Sequence, residues 1–388
     1  MRLAIIRARY NPFGGAERFV ELALRALRDD GADVTVIARD WRDHSAADDL
    51  SGNGIKFFKV DPFYLGSTWR DWSFARGVQR VLVSRPVDLA QSHERIVGID
   101  IYRAGDGVHA SWLERRARTV SVASRLGIKL NWHHRYLLHT EKKMFADRRL
   151  RAIICNSNLV RDEIAERFKV APERLHVIYN GVDLNRYEPQ LAREQRDTMR
   201  AGLGIAATQP VLLFIGSGFA RKGLADALAA VAEMREVHLV VVGYDKHAAR
   251  YLAKARSLGI ETRCHFVGSV NDARPWYGLA DGLVLPTVYD PFPNVALEAL
   301  ACGLPILVSD GCGAREIVLE GQNGFVVPVG NVPRLVRAIG QWLIEVADPV
   351  RSETIARAAR ASALPFDVAE MSRRLLALYR SLLDESAA

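Results

Sequence analysis

Apolar and polar positions along this chain fall into blocks that switch between strand and helix periodicity. Leu3 to Ile6 is a four-residue apolar run, and Asn11-Pro12-Phe13-Gly14-Gly15 after it reads as a turn. Ala16, Phe19, Val20, Ala23, Leu24 and Leu27 then recur at spacings of three and four, which predicts an amphipathic helix closed near Gly31. Asp33 to Ala38 is the next strand. Strand, helix and strand in this order predict a parallel pair.

The pattern restarts past the middle. Val211 to Ile215 is a buried-strand run, followed by Gly216-Ser217-Gly218 and a helix from about Gly223. Val237 to Val242, His265 to Gly268, Gly282 to Pro286 and Ile306 to Val308 read as further strands. The fold class is therefore α/β, with two Rossmann-like doubly wound domains at 1–180 and 208–365. A polar, charge-rich stretch at 181–207 reads as the interdomain connection. Val368, Met371, Leu375, Leu376 and Leu382 predict a closing helix within 366–388. Ligands of such sheets bind outside the carboxyl ends of the strands, so the two domains are expected to face each other across a cleft.

Length and composition agree with this division. The 388 residues suit two domains, and 49% apolar with 25% charged residues is globular composition. Cys155, Cys264, Cys302 and Cys312 include no C-x-x-C pair, which argues against a zinc site or a disulfide scaffold. The apolar run before Arg7 is too short for a secretion signal, and no run approaches the roughly 18–20 residues of a membrane span. A cytoplasmic location is expected.

Charge changes the picture in one place. The net charge is +8, and the segment 103–151 carries all of that excess, with twelve Lys/Arg against four Asp/Glu. Trp112, Trp132, Tyr136 and Phe145 are interleaved with the cations, together with four histidines. Cations among aromatics suit an anionic lipid surface, whereas the plain alternative is a solvated face on long helices. No nucleic-acid-binding signature accompanies them, so no nucleic-acid partner is expected.

Candidate chemistry gathers in the second half. After the strand that ends at Pro286, a loop carries Asp290, and a helix is expected to start at Asn294, a good N-cap type, and stop at Gly303. Its first amides, with those of Phe292, Asn294 and Val295, offer an anion site for a diphosphate. Glu298, one turn inside, is placed to receive the vicinal hydroxyls of a ribose. Pro291 and Pro293 withhold two further N–H donors. In Gly216-Ser217-Gly218-Phe219-Ala220-Arg221-Lys222-Gly223, small residues let the backbone turn close to a ligand, and Arg221 and Lys222 can neutralise a diphosphate leaving group. Arg221 fills the place of the third glycine of a dinucleotide fingerprint, which argues against a dehydrogenase.

These motifs resemble those of family 4 glycosyltransferases, the retaining, metal-independent group with the GT-B fold. Tyr10-Asn11-Pro12-Phe13-Gly14-Gly15, the stretch Gly98 to Asp106, the Gly216–Gly223 stretch and the acid-x7-Glu pair Asp290/Glu298 carry the resemblance. It extends over nearly the whole chain and is nearest to members that glucosylate lipopolysaccharide core. It implies that Gly14 and Gly15 approach the donor phosphates and acceptor, that Arg221 and Lys222 bind the pyrophosphate, that Glu298 holds the ribose and that Asp290 contacts the donor sugar. Asp106 would face the acceptor side, with His109 close to the sugar. Asp290 stands where the family usually has Glu, one methylene longer.

The implied reaction is hexose transfer, glucose favoured, from a UDP-sugar to a hydroxyl of a lipid-linked saccharide. No cofactor and no metal are expected, since no D-x-D pair is present. The resemblance also associates the basic stretch with the cytoplasmic face of the inner membrane. The alternatives are a GDP-sugar-dependent mannosyltransferase of the same family, a non-hydrolysing UDP-sugar epimerase, and a binding module without catalysis.

Overall fold

The computed structural model describes residues 1–10, 24, 27, 31–41 and 55–387. The expected turn at Asn11–Gly15, and most of the helix after it, lie outside these residues, and so do Gly14 and Gly15. The chain divides into two compact units, Met1–Asn180 with Ala369–Ala388, and Gly181–Val368.

The first unit holds a parallel sheet of seven strands: β1 (Arg2–Ile6), β2 (Asp33–Ala38), β3 (Ile55–Lys59), β4 (Leu89–Ser92), β5 (Ile101–Arg103), β6 (Ala152–Cys155) and β7 (Leu175–Val177). Their spatial order is β3-β2-β1-β4-β5-β6-β7. The second unit holds β8 (Val211–Ile215), β9 (His238–Val242), β10 (Cys264–Gly268), β11 (Gly282–Leu285), β12 (Ile306–Ser309) and β13 (Gly324–Val327), in the order β10-β9-β8-β11-β12-β13. In both sheets the order of strands reverses at the first strand, the topological switch at which doubly wound sheets take ligands. All five residues of β8 are buried, because a central parallel strand is covered on both faces.

The helices used below are α1 (Gly66–Ser84), α2 (His109–Thr119), α3 (Val122–Leu130), α4 (Trp132–Ala146), α5 (Pro189–Arg193), α6 (Arg196–Gly202), α7 (Asn294–Ala301), α8 (Val332–Ala347), α9 (Pro349–Ala363) and α10 (Val368–Ala387). Helix α10 returns to the first unit. Met371, Leu375, Leu378, Tyr379 and Leu382 lie at helical spacing and enter one core with Leu3, Ile5, Val34 and Val36. The Tyr379 hydroxyl donates to Gln91 Oε1 at 2.6 Å, so this last helix is fastened to β4.

The stretch 181–207 differs from the connection its polarity predicts, since it is part of the second unit. Arg196 donates to the carbonyls of Gly278 (2.7 Å) and Ala280 (2.9 Å) and pairs with Asp281. Arg200, nearly inaccessible, donates to Leu279 O at 2.8 Å and to Asp281 Oδ2 at 2.7 Å. Asp281 Oδ2 also accepts from the amide of Val211, the first residue of β8, at 2.8 Å. Charges of a stretch that reads as a connection are satisfied internally, and the pattern of polar residues alone does not reveal that.

Six histidines, His93, His109, His134, His176, His238 and His265, are held below their ordinary value near 6.5, each chiefly by burial. They bind protons less readily in the folded chain than in the unfolded one, where they protonate as pH falls through about 6.5. Over that window the unfolded state binds more protons, so stability falls with pH. The melting temperature is expected to be several degrees lower at pH 5.5 than at pH 7.5, as read by calorimetry. Equal values would refute this.

Candidate active site

The second unit gathers three candidate residues at the carboxyl edge of its sheet. After β8 the chain turns through Gly216 and Gly218 into a four-residue helix, Phe219–Lys222, ended by Gly223. Gly216, Gly218 and Gly223 all have positive φ. At Gly223, with φ +78°, an added Cβ would lie 2.0 Å from the carbonyl oxygen of Pro286 at the end of β11. The carbonyl of Arg221 accepts from Val288 N and Thr287 Oγ1, both at 2.8 Å, so the loop after β8 is fastened to the loop after β11.

That junction sets two cations on one carboxylate. Lys222 Nζ donates to Asp290 Oδ2 at 2.6 Å, and Arg221 Nη1 donates to the same oxygen at 2.9 Å. Lys222 and Asp290 are buried, whereas Arg221 is partly exposed. Burial alone would raise the Asp290 carboxyl, but Lys222 and then Arg221 outweigh it and hold it below the usual carboxylate range. Asp290 N donates to Gly311 O at 3.0 Å, and Asp290 O accepts from Gly313 N at 2.9 Å, which ties the loop to the end of β12.

Gly223→Ala combines a left-handed backbone with a clash against main chain. The backbone term alone costs roughly 1–2 kcal/mol. Gly218→Ala has φ +75° but nothing within 4 Å of the new atom. The expected outcome is that G223A lowers both the melting temperature and nucleotide affinity clearly more than G218A. Equal effects in the two variants would overturn the close-approach account.

Helix α7 starts one residue differently from its sequence signal. Pro293 is the N-cap, with extended backbone and no side-chain cap, and Asn294 is the first helical residue. The fixed φ of proline and its missing N–H suit a helix entrance, so Pro293 displaces the capping residue type. In its first turn the Ala296 amide donates to Pro293 O at 3.1 Å. Glu298 is buried, and its Oε2 accepts from the fully buried Tyr277 hydroxyl at 2.7 Å. Burial, then the Glu298 charge, holds the Tyr277 hydroxyl well above its ordinary value, so it stays a donor. Phe292 is a core residue, its ring 6.3 Å from that of Phe366, so only its backbone can meet a ligand.

In the first unit, Asp106 and His109 also lie past the carboxyl end of a strand, β5. The Asp106 carboxylate is half-exposed and stands 3.9 Å from Arg7 Nη1, beyond β1. His109 opens α2, whose N-cap Val108 offers no side-chain acceptor. The cap comes from Glu141 on α4, 32 residues away: its Oε1 accepts from His109 N at 2.6 Å and its Oε2 from Ala110 N at 3.3 Å. Glu141 is buried, and it also accepts from Arg95 Nε at 2.8 Å, while Arg95 Nη2 donates to Gly107 O at 3.0 Å. This pair holds the Asp106–His109 turn, and reading the sequence missed both members. The available signal was a helix start lacking any capping residue beside an unpaired acid further along.

His109 Nε2 lies 3.2 Å from His134 Nδ1, and its ring is 5.4 Å from that of Trp112. Burial first, then Arg95 and His134, push His109 down to about 3, so it is neutral at physiological pH. Arg221, Lys222 and Asp290 therefore meet directly, whereas Asp106 and His109 share a braced turn and have different partners, Arg7 for Asp106 and Glu141 and His134 for His109. No group of three or more His, Cys, Asp or Glu among the described residues could hold a metal ion.

Two doubly wound units, with cations and a helix entrance at the carboxyl edge of the second, define a glycosyltransferase of the GT-B class. Residues 13–186 match the family model described as Glycosyltransferase Family 4, and residues 195–360 match that of Glycosyl transferases group 1. The chain belongs to glycosyltransferase family 4, and it is a transferase enzyme.

Its relatives include lipopolysaccharide glucosyltransferase WaaG of Escherichia coli K12, which is 26% identical over 84% of this chain and 85% of that protein. The crystal structure of WaaG, a glycosyltransferase involved in lipopolysaccharide biosynthesis, superposes with a TM-score of 0.81 at 23% identity, covering 96% of this chain and 98% of the other. Anabaena Alr3699/HepE in complex with UDP-glucose superposes with a TM-score of 0.74 at 22% identity, covering 98% and 100%.

Proposed function

We propose that this enzyme transfers a hexose, glucose by preference, from a UDP-sugar to a hydroxyl of a lipid-linked saccharide such as lipopolysaccharide core, with retention at the anomeric carbon and without a metal. The observation that carries the reading is the cluster of Arg221, Lys222 and Asp290 at the carboxyl edge of the second sheet. In the free enzyme both cations are turned onto Asp290. The donor diphosphate would compete for them, and as the bond to the sugar breaks they would take up the charge that develops on the leaving group. Preorganised donors of this kind can each contribute on the order of 2–4 kcal/mol to a transition state. The first-turn amides of α7 would add to this, and Glu298, oriented by Tyr277, would hold the ribose.

On the first unit, Asp106 and neutral His109 would meet the acceptor, Asp106 anchoring the hydroxyl or accepting its proton. WaaG's name and the UDP-glucose complex of Alr3699/HepE support the choice of donor and acceptor.

The reading includes attachment to the cytoplasmic face of the inner membrane through 103–151. No helix among the described residues is long and apolar enough to cross a membrane. Helix α3 buries none of its residues, and Val122, Leu126 and Leu130 form an exposed stripe beside Trp132. Arg125 and Lys129 lie on the same helix, and Arg135 sits over the Trp132 ring. An apolar stripe flanked by cations suits an anionic bilayer surface.

The test is a calorimetric panel of UDP, GDP, ADP and UDP-sugars without added metal. Binding of UDP and selectively of UDP-glucose is expected. Response to GDP alone would replace the donor, and turnover of free UDP-sugar to its epimer without acceptor would overturn transfer.

A further inference from the structure

We propose that a groove on the second unit, between α5 and α9, is a binding site for a small organic phosphate, and that its occupancy is coupled to Glu298. The coupling rests on the donor reading above, but the groove does not.

The groove encloses about 720 Å3. One wall is the face of α9 that presents Ser352, Glu353, Ala356, Arg357 and Arg360 at successive turns. Pro189 and Arg193 of α5 face it, and Gly303, just past α7, closes one end.

Its charge is unbalanced. Arg193, Arg357 and Arg360 stand against the single carboxylate of Glu353, an excess of two positive charges. Arg360 is held by three carbonyls, of Tyr187 at 2.6 Å, Ala301 at 2.7 Å and Leu184 at 3.0 Å, which are neutral acceptors and do not cancel its charge. Partial burial of Arg193, and then the neighbouring Arg196, lower its pKa and outweigh the opposing pull of Asp281. Between these guanidinium groups the lining is apolar, from Pro189, Val346, Pro349, Ala356 and Leu364. Cations above an apolar floor fit a phosphate dianion attached to a small apolar body.

The same residues lead to the nucleotide side of the unit. Arg360 holds the carbonyl of Ala301, the last residue of α7, on which Glu298 sits. It also holds the carbonyl of Tyr187, whose ring packs edge-on against Tyr277 at 6.0 Å, and Tyr277 donates to Glu298. A ligand that draws Arg360 toward the groove therefore acts on both ends of the Glu298 environment.

The test titrates the full chain calorimetrically with phenyl phosphate, which carries both the dianion and the apolar body, in the presence and absence of saturating UDP. One equivalent is expected to bind with UDP present, more tightly than inorganic phosphate. Arg193→Gln with Arg357→Gln should weaken it about tenfold or more, while UDP affinity measured alone stays unchanged. Ala356→Phe, which fills the groove and keeps its charges, should also block binding.

Phenyl phosphate should change UDP affinity by the same factor by which UDP changes phenyl phosphate affinity. Displacement by UDP, or full affinity in both variants, would overturn the site. A mutual factor of one would overturn the coupling. If UDP itself does not bind, the donor reading falls, and the two variants still decide the groove.

Discussion

Lys222→Ala is expected to lower kcat by about two to three orders of magnitude while weakening UDP binding by less than tenfold. The difference arises because charge on the leaving diphosphate grows as the sugar departs, and a cation aimed at it is worth most at that moment. Lys222 is buried, its ammonium is fixed 2.6 Å from Asp290, and the adjacent Gly216 leaves room for its stem. Asp290 would keep Arg221 at 2.9 Å, so the variant retains one counter-charge and should fold. Normal turnover in K222A would end the leaving-group role. Asp290→Asn separates two roles for the acid. If Asp290 serves as the resting counter-charge, D290N frees the cations and UDP binds more tightly than to the native enzyme. If instead it grips the donor sugar, UDP affinity is unchanged and only UDP-glucose affinity falls.

Glu141→Ala should cost about 3–5 kcal/mol, because it leaves the buried Arg95 without its carboxylate and removes the acceptor for the first two amides of α2. In a unit of roughly 200 residues that corresponds to a fall in melting temperature on the order of 10 °C. Glu141→Gln keeps the size and one acceptor oxygen, so it should fold with a smaller loss. Its effect should appear as a raised KM for the acceptor and a lowered kcat, with UDP affinity unaltered, since the Asp106–His109 turn belongs to the first unit. Unchanged acceptor kinetics in E141Q, with a native melting temperature in E141A, would show that the turn is held by other means.

The central parallel strand Val211–Ile215 was legible in the sequence because burial on both faces makes it a continuous apolar run. Asp33–Ala38, with Val34, Val36 and Ile37 buried, was also read with the bounds the structure gives it. The strands β3, β4, β6, β7 and β13 were not singled out. Leu89–Ser92 is entirely buried yet contains Gln91 and Ser92: Ser92 bonds the backbone of Glu94 just past the strand, and Gln91 accepts from Tyr379 on the last helix, a partner only the tertiary structure supplies. The charge-rich stretch 181–207 read as a connection but belongs to the second unit, because Arg196 and Arg200 staple it to the residues before β11.

The sequence by itself determined the α/β class, the restart of the pattern after the middle and the family. It also singled out Arg221, Lys222, Asp290 and Glu298. Each of these depends on residue types at short spacing, which local sterics and burial translate directly into turns, strands and helix starts. Only the tertiary structure decided that Lys222 and Asp290 share one buried ion pair, that Glu141 caps a helix 32 residues before it, and that Tyr277 orients Glu298. Those contacts join residues distant along the chain, and the low dielectric of the interior that makes them strong exists only once the core has formed.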